Sequence, residues 1–188
     1  RVHGGSSILH PSMRALRSLG PIEHAWLEDL ANAPAWSIER LAVVLNDEAS
    51  ITVLAETESL PALRELVLSG ELCEAAVAEF VAAPWWKQLT RLTIADRDVD
   101  AVGRWYKRYR ELGVPWLAVQ QAYTDPTDAV GWEVAFGPNN ACEATLRGFT
   151  PHATFAELRR MLAQAPVEAT LVASDHYAPR ASDLAIPE

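Results

Sequence analysis

Leu63-Arg-Glu-Leu66 and Leu89-Thr-Arg-Leu92 are two copies of a short leucine pattern that returns along the chain. Related segments begin at Met13, Ile38 and Val114, so that successive copies start 25, 25, 26 and 25 residues apart. Self-similarity at such a period is typical of arrays of stacked units. The sequence therefore predicts a solenoid in which the second leucines of the copies lie side by side. These leucines are Leu16, Leu41, Leu66, Leu92 and Leu117.

Each unit is predicted to be a helix followed by a short strand. Residues 20–34 and 70–84 align at an offset of 50 residues, and both carry apolar residues at helical spacing before a proline. A tryptophan follows each proline within two residues, and the short apolar runs 38–43 and 89–94 then indicate strands. One unit cannot cover its own apolar face, so we expect stacked units with parallel strands on one side and helices on the other.

The segment 50–59 is ambiguous between strand and helix. Ile51, Val53 and Ala55 alternate with polar residues as in a strand. A short helix at this place would instead restore the symmetry of the array. We predict irregular structure with a strand.

The period is lost after Val119. Residues 121–131 carry turn-forming residues, and the segments 132–136 and 144–147 predict a β-hairpin. Thr154 and Glu157 form a capping box for a further helix, and residues 167–172 predict a strand. We therefore expect an α/β fold with a repeat array over 1–119. Residues 120–188 would add a loop, a hairpin insertion, a terminal α/β unit and a tail packed on the array.

The LxxLxL strand segments with helices between them resemble leucine-rich repeats of the helical, ribonuclease-inhibitor-like kind. Bacterial repeats that read alanine, alanine, proline, tryptophan and then leucine are the most similar, and the resemblance covers residues 13–119. It implies a curved scaffold that binds protein and carries no catalytic residues. The family's asparagine ladder is mostly missing, so the repeats are degenerate. The matching positions hold Pro21, Asn46, Glu71, Arg97 and Ala122.

Composition narrows the function classes. The 188 residues carry a formal net charge of -9, with 49% hydrophobic residues and a mean hydropathy near zero. The charge opposes binding to nucleic acid, and no apolar run is long enough to span a membrane. A basic or neutral protein surface is the easier partner. Two distant cysteines suggest neither disulfides nor zinc. The chain begins at Arg1 without a leader, so we expect a trimmed fragment from the cytoplasm.

The predicted binding surface is the open side of the strands, by analogy with the family. One column of variable positions holds Arg40, Glu65, Arg91 and Trp116, and the next column begins with Arg17. Arginine and tryptophan are common at binding hot spots. We predict that these residues seat a peptide or protein partner: Arg17, Arg40, Glu65, Arg91 and Trp116. The alternative is that Arg and Glu side chains pair within the sheet and keep this face soluble.

Other candidate sites have less support in the sequence. No catalytic motif, cofactor motif or metal-ligand spacing occurs, and the Asp96-x-Asp98-x-Asp100 alternation lacks the glycine and glutamate of a calcium loop. Residues 104–110 form a basic and aromatic cluster, which we interpret as a solvated helix face rather than a site for single-stranded nucleic acid. If that cluster has a function, we expect it to contact an acidic patch on another protein.

We therefore expect a non-catalytic protein-interaction scaffold, the repeat part of a larger bacterial protein, with no metal and no cofactor. The alternative is an enzyme or small-ligand protein with its site in the loop-hairpin region 120–150. A hydrolytic site assembled from Asp128, His152 and Asp175 would belong to that alternative. The sequence predicts no oligomeric state.

Overall fold

The computed structural model describes residues 15–32, 35–96, 100–121, 131–147, 160, 163 and 170–173. The described residues form an α/β fold with mostly parallel strands, which confirms the predicted class. The chain divides into two compact units, residues 1–94 and residues 95–188. No helix in the described ranges is both long and apolar enough to cross a membrane.

The first unit alternates strands and helices. Strands β1 and β2 pair in parallel, and so do β2 and β3, with Arg40 opposite Glu65 and Leu41 opposite Leu66. The pairing of β1 with β2 is interrupted by a register shift between Leu19 and Ile22. In chain order the elements are β1 (Ser18–Ile22), α1 (His24–Ala31), β2 (Arg40–Val44), α2 (Glu48–Glu56), β3 (Glu65–Ser69), α3 (Cys73–Phe80), a 3-10 helix (Trp86–Gln88) and β4 (Arg91–Asp96).

One hydrogen-bond arrangement recurs where the strands begin. The carbonyl of the residue just before a strand accepts the N–H groups of two consecutive residues that lead into the next strand. Arg17 O accepts from Glu39 N at 2.8 Å and Arg40 N at 2.9 Å, Glu39 O accepts from Arg64 N and Glu65 N at 2.8 Å each, and Arg64 O accepts from Thr90 N at 2.8 Å and Arg91 N at 3.1 Å. Three successive connections therefore enter the sheet in the same way.

The two faces of β2 and β3 differ in exposure because side chains alternate along a strand. Leu41, Val43, Leu66 and Leu68 are buried to 1% exposure or less. Apolar residues of the three helices share this burial, and α2 contacts both α1 and α3. The other side chains of the two strands are exposed or half-exposed. We call this second side the open strand face: Arg40, Ala42, Val44, Glu65, Val67 and Ser69.

The structure corrects the prediction for residues 50–59. Residues 50–56 belong to α2, and the Asp47 carboxylate caps this helix by accepting from the Ser50 backbone N–H at 2.7 Å. Ser50, Ile51 and Leu54 are buried, which is the spacing of a helix that covers a sheet with one face. The alternation of Ile51, Val53 and Ala55 was misleading because it also fits one turn and a half of helix.

The structure also corrects the predicted alignment of the first leucine segment. Leu19, not Leu16, lies opposite Leu41, so β1 and β2 are offset by 22 residues in the register. Gly20 and Pro21, expected to open a helix, belong to β1, and α1 begins at His24. The helix expected before Pro84 is confirmed, since α3 lies there. The tryptophans that follow the two prolines, Trp36, Trp85 and Trp86, are buried.

The second unit contains the expected hairpin. β5 pairs with β6 and β6 with β7, both antiparallel, whereas β7 pairs with β8 in parallel. The helix predicted from Thr154 and Glu157 and the tail 175–188 lie outside the described residues. The elements are α4 (Ala101–Leu112), β5 (Trp116–Gln121), β6 (Gly131–Phe136), a 3-10 helix (Pro138–Asn140), β7 (Cys142–Arg147) and β8 (Thr170–Ala173).

Candidate functional site

Two members of the predicted binding surface, Arg40 and Glu65, are neighbours on the open strand face. They occupy opposite positions in the β2–β3 register, and Arg40 Nε lies 3.9 Å from Glu65 Oε2. Their side chains remain 58% and 44% exposed. Both charges are therefore accessible to a partner, and an exposed pair at this distance contributes little to stability.

Arg17 occupies a different position from the one expected. Ser18 lies opposite Arg40, so Arg17 aligns with Glu39, one residue before the strands. Its guanidinium donates to Glu39 Oε1 at 2.9 Å, and both side chains are more than half exposed. Arg17 therefore belongs to the row of residues at which the strands begin and does not lie on the open strand face.

The remaining two predicted residues are half-buried. Arg91 is the first residue of β4 in the first unit, and Trp116 is the first residue of β5 in the second unit. The Trp116 ring lies against the backbone of Gly137, since a Cβ atom there would fall 2.5 Å from the ring. The structure thus brings Arg17, Arg40 and Glu65 together at the end of the first unit where the strands begin. Trp116 belongs to the second unit.

Positive charge is concentrated where the strands of the first unit begin. Every lysine and arginine described in residues 15–94 lies in the connection before a strand or is the first residue of one. Arg64 follows this pattern and donates to the carbonyls of Leu63 at 3.4 Å and Gln88 at 3.3 Å. We call this row the strand-entry edge: Arg17, Glu39, Arg40, Arg64, Glu65, Lys87 and Arg91.

Five carboxylates lie at the opposite end of the strands, where the helices begin: Glu23, Asp47, Glu48, Glu71 and Glu74. Helix N-termini favour carboxylates because the macrodipole is positive there. Other carboxylates, such as Glu39, Glu58 and Glu65, lie where the strands begin. The described cations of the first unit are therefore confined to the strand-entry edge, whereas its carboxylates occur at both ends of the strands.

A serine, a histidine and a carboxylate meet where β1 and β2 end, an arrangement that the sequence analysis did not identify. Ser50 Oγ lies 3.3 Å from His24 Nδ1 and donates to Asp47 Oδ2 at 3.1 Å. His24 Nδ1 is also 3.7 Å from Asp47 Oδ1. Catalytic triads use the two different ring nitrogens for serine and acid, and a reactive serine must reach substrate. Here Nδ1 faces both Ser50 and Asp47, while Nε2 lies 3.5 Å from Glu28 Oε1. Ser50 is 0% exposed and therefore does not reach a substrate, and its contacts with Asp47 cap α2.

Asp47 makes the stability of the first unit depend on pH. The Ser50 backbone N–H lowers the pKa of the Asp47 carboxyl below its usual value of 3.8. A lowered folded-state pKa means that this stabilisation is complete above pH 4 or so and is lost as the pH falls through the folded pKa. We expect urea midpoints of wild-type and Asp47→Ala protein to differ at pH 7 and to approach each other as the pH falls through the folded-state pKa of Asp47.

Asp47→Asn is the matched control for this titration, since asparagine also caps helices but carries no charge. It should retain more of the stability at pH 7 than Asp47→Ala and should lose the pH dependence. If the difference in urea midpoint between wild-type and Asp47→Ala protein stays constant from pH 7 to pH 2, the stabilising effect of the cap does not depend on ionisation of Asp47.

Metal and cysteine chemistry find little support among the described residues. They contain no group of three or more His, Cys, Asp or Glu side chains placed to hold a metal ion. Asp96 pairs with Arg104 at 3.1 Å, and Asp98 lies outside the described residues. Cys73 and Cys142 are buried free thiols, and burial raises the pKa of Cys142 to about 11. The Cys142 thiol is therefore protonated at neutral pH.

The alternative site region, 120–150, is described only in part. Asp128, His152 and Asp175 lie outside the described residues. Residues 131–147 form the hairpin, and its turn lines a cleft together with α4. Comparison of the chain with protein-family models, with curated proteins and with solved structures finds no match.

Proposed function

We propose that residues 1–119 form a degenerate leucine-rich-repeat-like array of the bacterial type, and that this array is a non-catalytic scaffold for binding another protein. The repeated carbonyl arrangement at the strand-entry edge supports the repeat interpretation, because three successive connections share it. The parallel pairing of β1, β2 and β3, each followed by a helix, supports it as well. The family resemblance links this architecture to protein recognition.

The observation that carries the proposal is the exposure of the open strand face. Leu66 and Leu68 are fully buried, whereas Val67 between them is half-exposed. Ala42 and Val44 on the neighbouring strand are half-exposed in the same way. A half-exposed apolar strip beside charged residues is a suitable surface for a peptide, because its centre can be desolvated while its rim stays polar.

Local charge defines the chemistry of the partner. The whole chain is acidic, which favours a basic or neutral partner. At the strand-entry edge, however, five cations outnumber Glu39 and Glu65, and they also outnumber these two together with Glu58 in the connection before β3. The cations are Arg17, Arg40, Arg64, Lys87 and Arg91. Charges farther away than a Debye length of about 8 Å are screened at physiological salt, so the local balance dominates. We propose as the partner a segment in which an acidic residue is followed by small apolar residues.

A random peptide library displayed on phage provides the probe. We expect peptides selected on the full chain to be enriched in Asp or Glu next to apolar residues. For a selected peptide, Arg40→Gln and Val67→Glu should each raise the Kd about tenfold. Arg40→Gln removes a charged contact with the peptide, and Val67→Glu places a charge against its apolar residues. The Kd is measured by isothermal titration calorimetry.

Ala78→Glu is the matched control, since it also lowers the net charge by one. Ala78 is an exposed residue of α3, away from the strands. The proposal requires that this variant binds the peptide as wild-type protein does. Equal weakening in all three variants would indicate a general charge effect, and unchanged binding in Arg40→Gln and Val67→Glu would place the peptide elsewhere. Either result contradicts the proposal.

A further inference from the structure

A cleft in the second unit lies between α4 and the turn of the β6–β7 hairpin. Its volume is about 280 Å³, near the lower end of the roughly 300–1,000 Å³ usual for small-molecule sites. Helix α4 contributes Tyr106, Lys107, Tyr109 and Arg110, and the hairpin contributes Phe136 and its turn. All of these residues belong to the second unit, so the cleft is independent of the open strand face.

Aromatic rings form one wall of the cleft. The Phe136 ring lies 5.0 Å from the Tyr106 ring and 6.3 Å from the Tyr109 ring between centroids. Tyr109 is fixed by its hydroxyl, which donates to the Pro115 carbonyl at 2.7 Å. Burial raises the pKa of Tyr109, so the phenol stays neutral. Phe136 itself is only 1% exposed, so the half-buried rings of Tyr106 and Tyr109 supply the accessible, uncharged aromatic surface for a planar group.

Two cations lie beside this wall. Lys107 and Arg110 are three residues apart in α4, which places them on adjacent positions of one helix surface. Both are exposed, and no carboxylate of the described residues lies within salt-bridge distance of either. In an acidic chain, two cations without a carboxylate at an aromatic cleft are well placed to bind an anion.

Two consecutive asparagines of the hairpin turn adopt the left-handed backbone conformation. Asn139 and Asn140 both have positive φ, 59° and 61°, and the Arg110 guanidinium donates to Asn140 Oδ1 at 3.1 Å. Consecutive left-handed residues other than glycine cost energy and persist where surrounding contacts hold them. Gly137 lies flat against the Trp116 ring, which leaves no space for a side chain at this position. The turn, the helix and the arginine thus form one connected site.

We propose that this cleft binds a small molecule made of one aromatic ring and one anionic group, a phosphate or a carboxylate. The ring packs on Tyr106 and Tyr109, and the anion pairs with Lys107 and Arg110. The volume admits a single substituted ring and excludes a dinucleotide. This site adds a small-ligand function to the chain whether or not the first unit binds a protein partner.

The probes are phenyl phosphate, 4-hydroxybenzoate, benzyl alcohol and inorganic phosphate, each titrated into the 15N-labelled full chain. We expect phenyl phosphate or 4-hydroxybenzoate to shift the amide signals of Gly137, Asn140 and Ala141. The stronger of the two identifies phosphate or carboxylate as the anion. Benzyl alcohol, which lacks the charge, and inorganic phosphate, which lacks the ring, should bind at least tenfold more weakly.

Charge-neutralising variants test the assigned cations. Lys107→Gln and Arg110→Gln should each raise the Kd of the better aromatic anion about tenfold, the usual effect of losing one charged hydrogen bond. Arg110→Lys keeps the charge and should restore part of the affinity even if the contact with Asn140 is lost. Arg108→Gln is the matched control on the same helix, because Arg108 lies over the Trp105 ring, 5.2 Å from its centroid, and does not line the cleft.

Three results would overturn the proposal. The first is the absence of amide shifts near Gly137 with both aromatic anions at about 10 mM, a concentration above any Kd of functional interest. The second is binding of benzyl alcohol as strong as that of the anions. The third is equal weakening by Arg108→Gln and Lys107→Gln, which would indicate nonspecific attraction to the helix.

Discussion

Replacing Leu66 by alanine is expected to lower the free energy of unfolding by about 2–5 kcal/mol. Leu66 is 0% exposed and lies opposite Leu41, which is equally buried, so that alanine would leave a cavity in the layer between strands and helices. The loss combines the transfer free energy of the removed atoms with the cavity that the rigid neighbours cannot fill. Urea unfolding followed by circular dichroism measures it.

Val67→Ala is the control, because Val67 follows Leu66 directly but lies half-exposed on the open strand face. Its effect should be no more than about 1 kcal/mol, since little buried surface is lost. The m-value should stay the same in both variants, so that the comparison reflects stability alone. Equal losses at the two positions would mean that β3 is buried on both sides, and the open strand face would not exist.

The second large effect is expected for Gly70→Ala, at the turn after β3. Gly70 has a φ of 106°, and a Cβ atom at this position would fall 2.3 Å from the Leu45 carbonyl oxygen. Both the backbone conformation and the overlap with main-chain atoms oppose any side chain. We expect a loss of about 3 kcal/mol or more in unfolding free energy, measured by urea unfolding.

Gly113→Ala separates the two causes. Gly113 also has a positive φ, 69°, but a Cβ atom there would meet nothing within 4 Å. Gly113 terminates α4 in the left-handed conformation, where alanine costs about 1–2 kcal/mol. The Gly70 variant should therefore be clearly less stable than the Gly113 variant. If both variants lose the same amount, close approach to Leu45 is not a constraint on the turn.

The elements that the sequence predicted correctly are those with one consistent period. β2 and β3 could be predicted because Leu41 and Leu66 recur at the spacing that the register imposes. The hairpin could be predicted because both of its strands are bounded by turn residues. The helix α2 could not be predicted, since the positions of Ile51, Val53 and Ala55 fit both the period of a strand and that of a helix. Asp47 at the capping position was the signal that distinguishes them.

The candidate sites were only partly accessible to sequence reasoning. The proximity of Arg40 and Glu65 follows from the 25-residue leucine spacing, which matches the β2–β3 register. The placement of Arg17 failed because β1 and β2 are offset by only 22 residues. The contact of His24 with Ser50 depends on how two turns meet in space, which no local pattern encodes. The cleft depends on the packing of α4 on β6, and the predicted solvated helix contains its cations without indicating a ligand.

The shifted pairing at β1 limits how a strand from another molecule can pair with this edge of the sheet. Of the described strands, β1 has a hydrogen-bonded neighbour only in β2. A bare strand edge is a template onto which a foreign strand can add, and this is a common route to aggregation. Pro21 offers no N–H group, and the shift between Leu19 and Ile22 breaks the regular spacing of donors and acceptors. Intermolecular strand addition at β1 is thereby disfavoured, and the chain can present an open sheet surface at high concentration without polymerising through this edge.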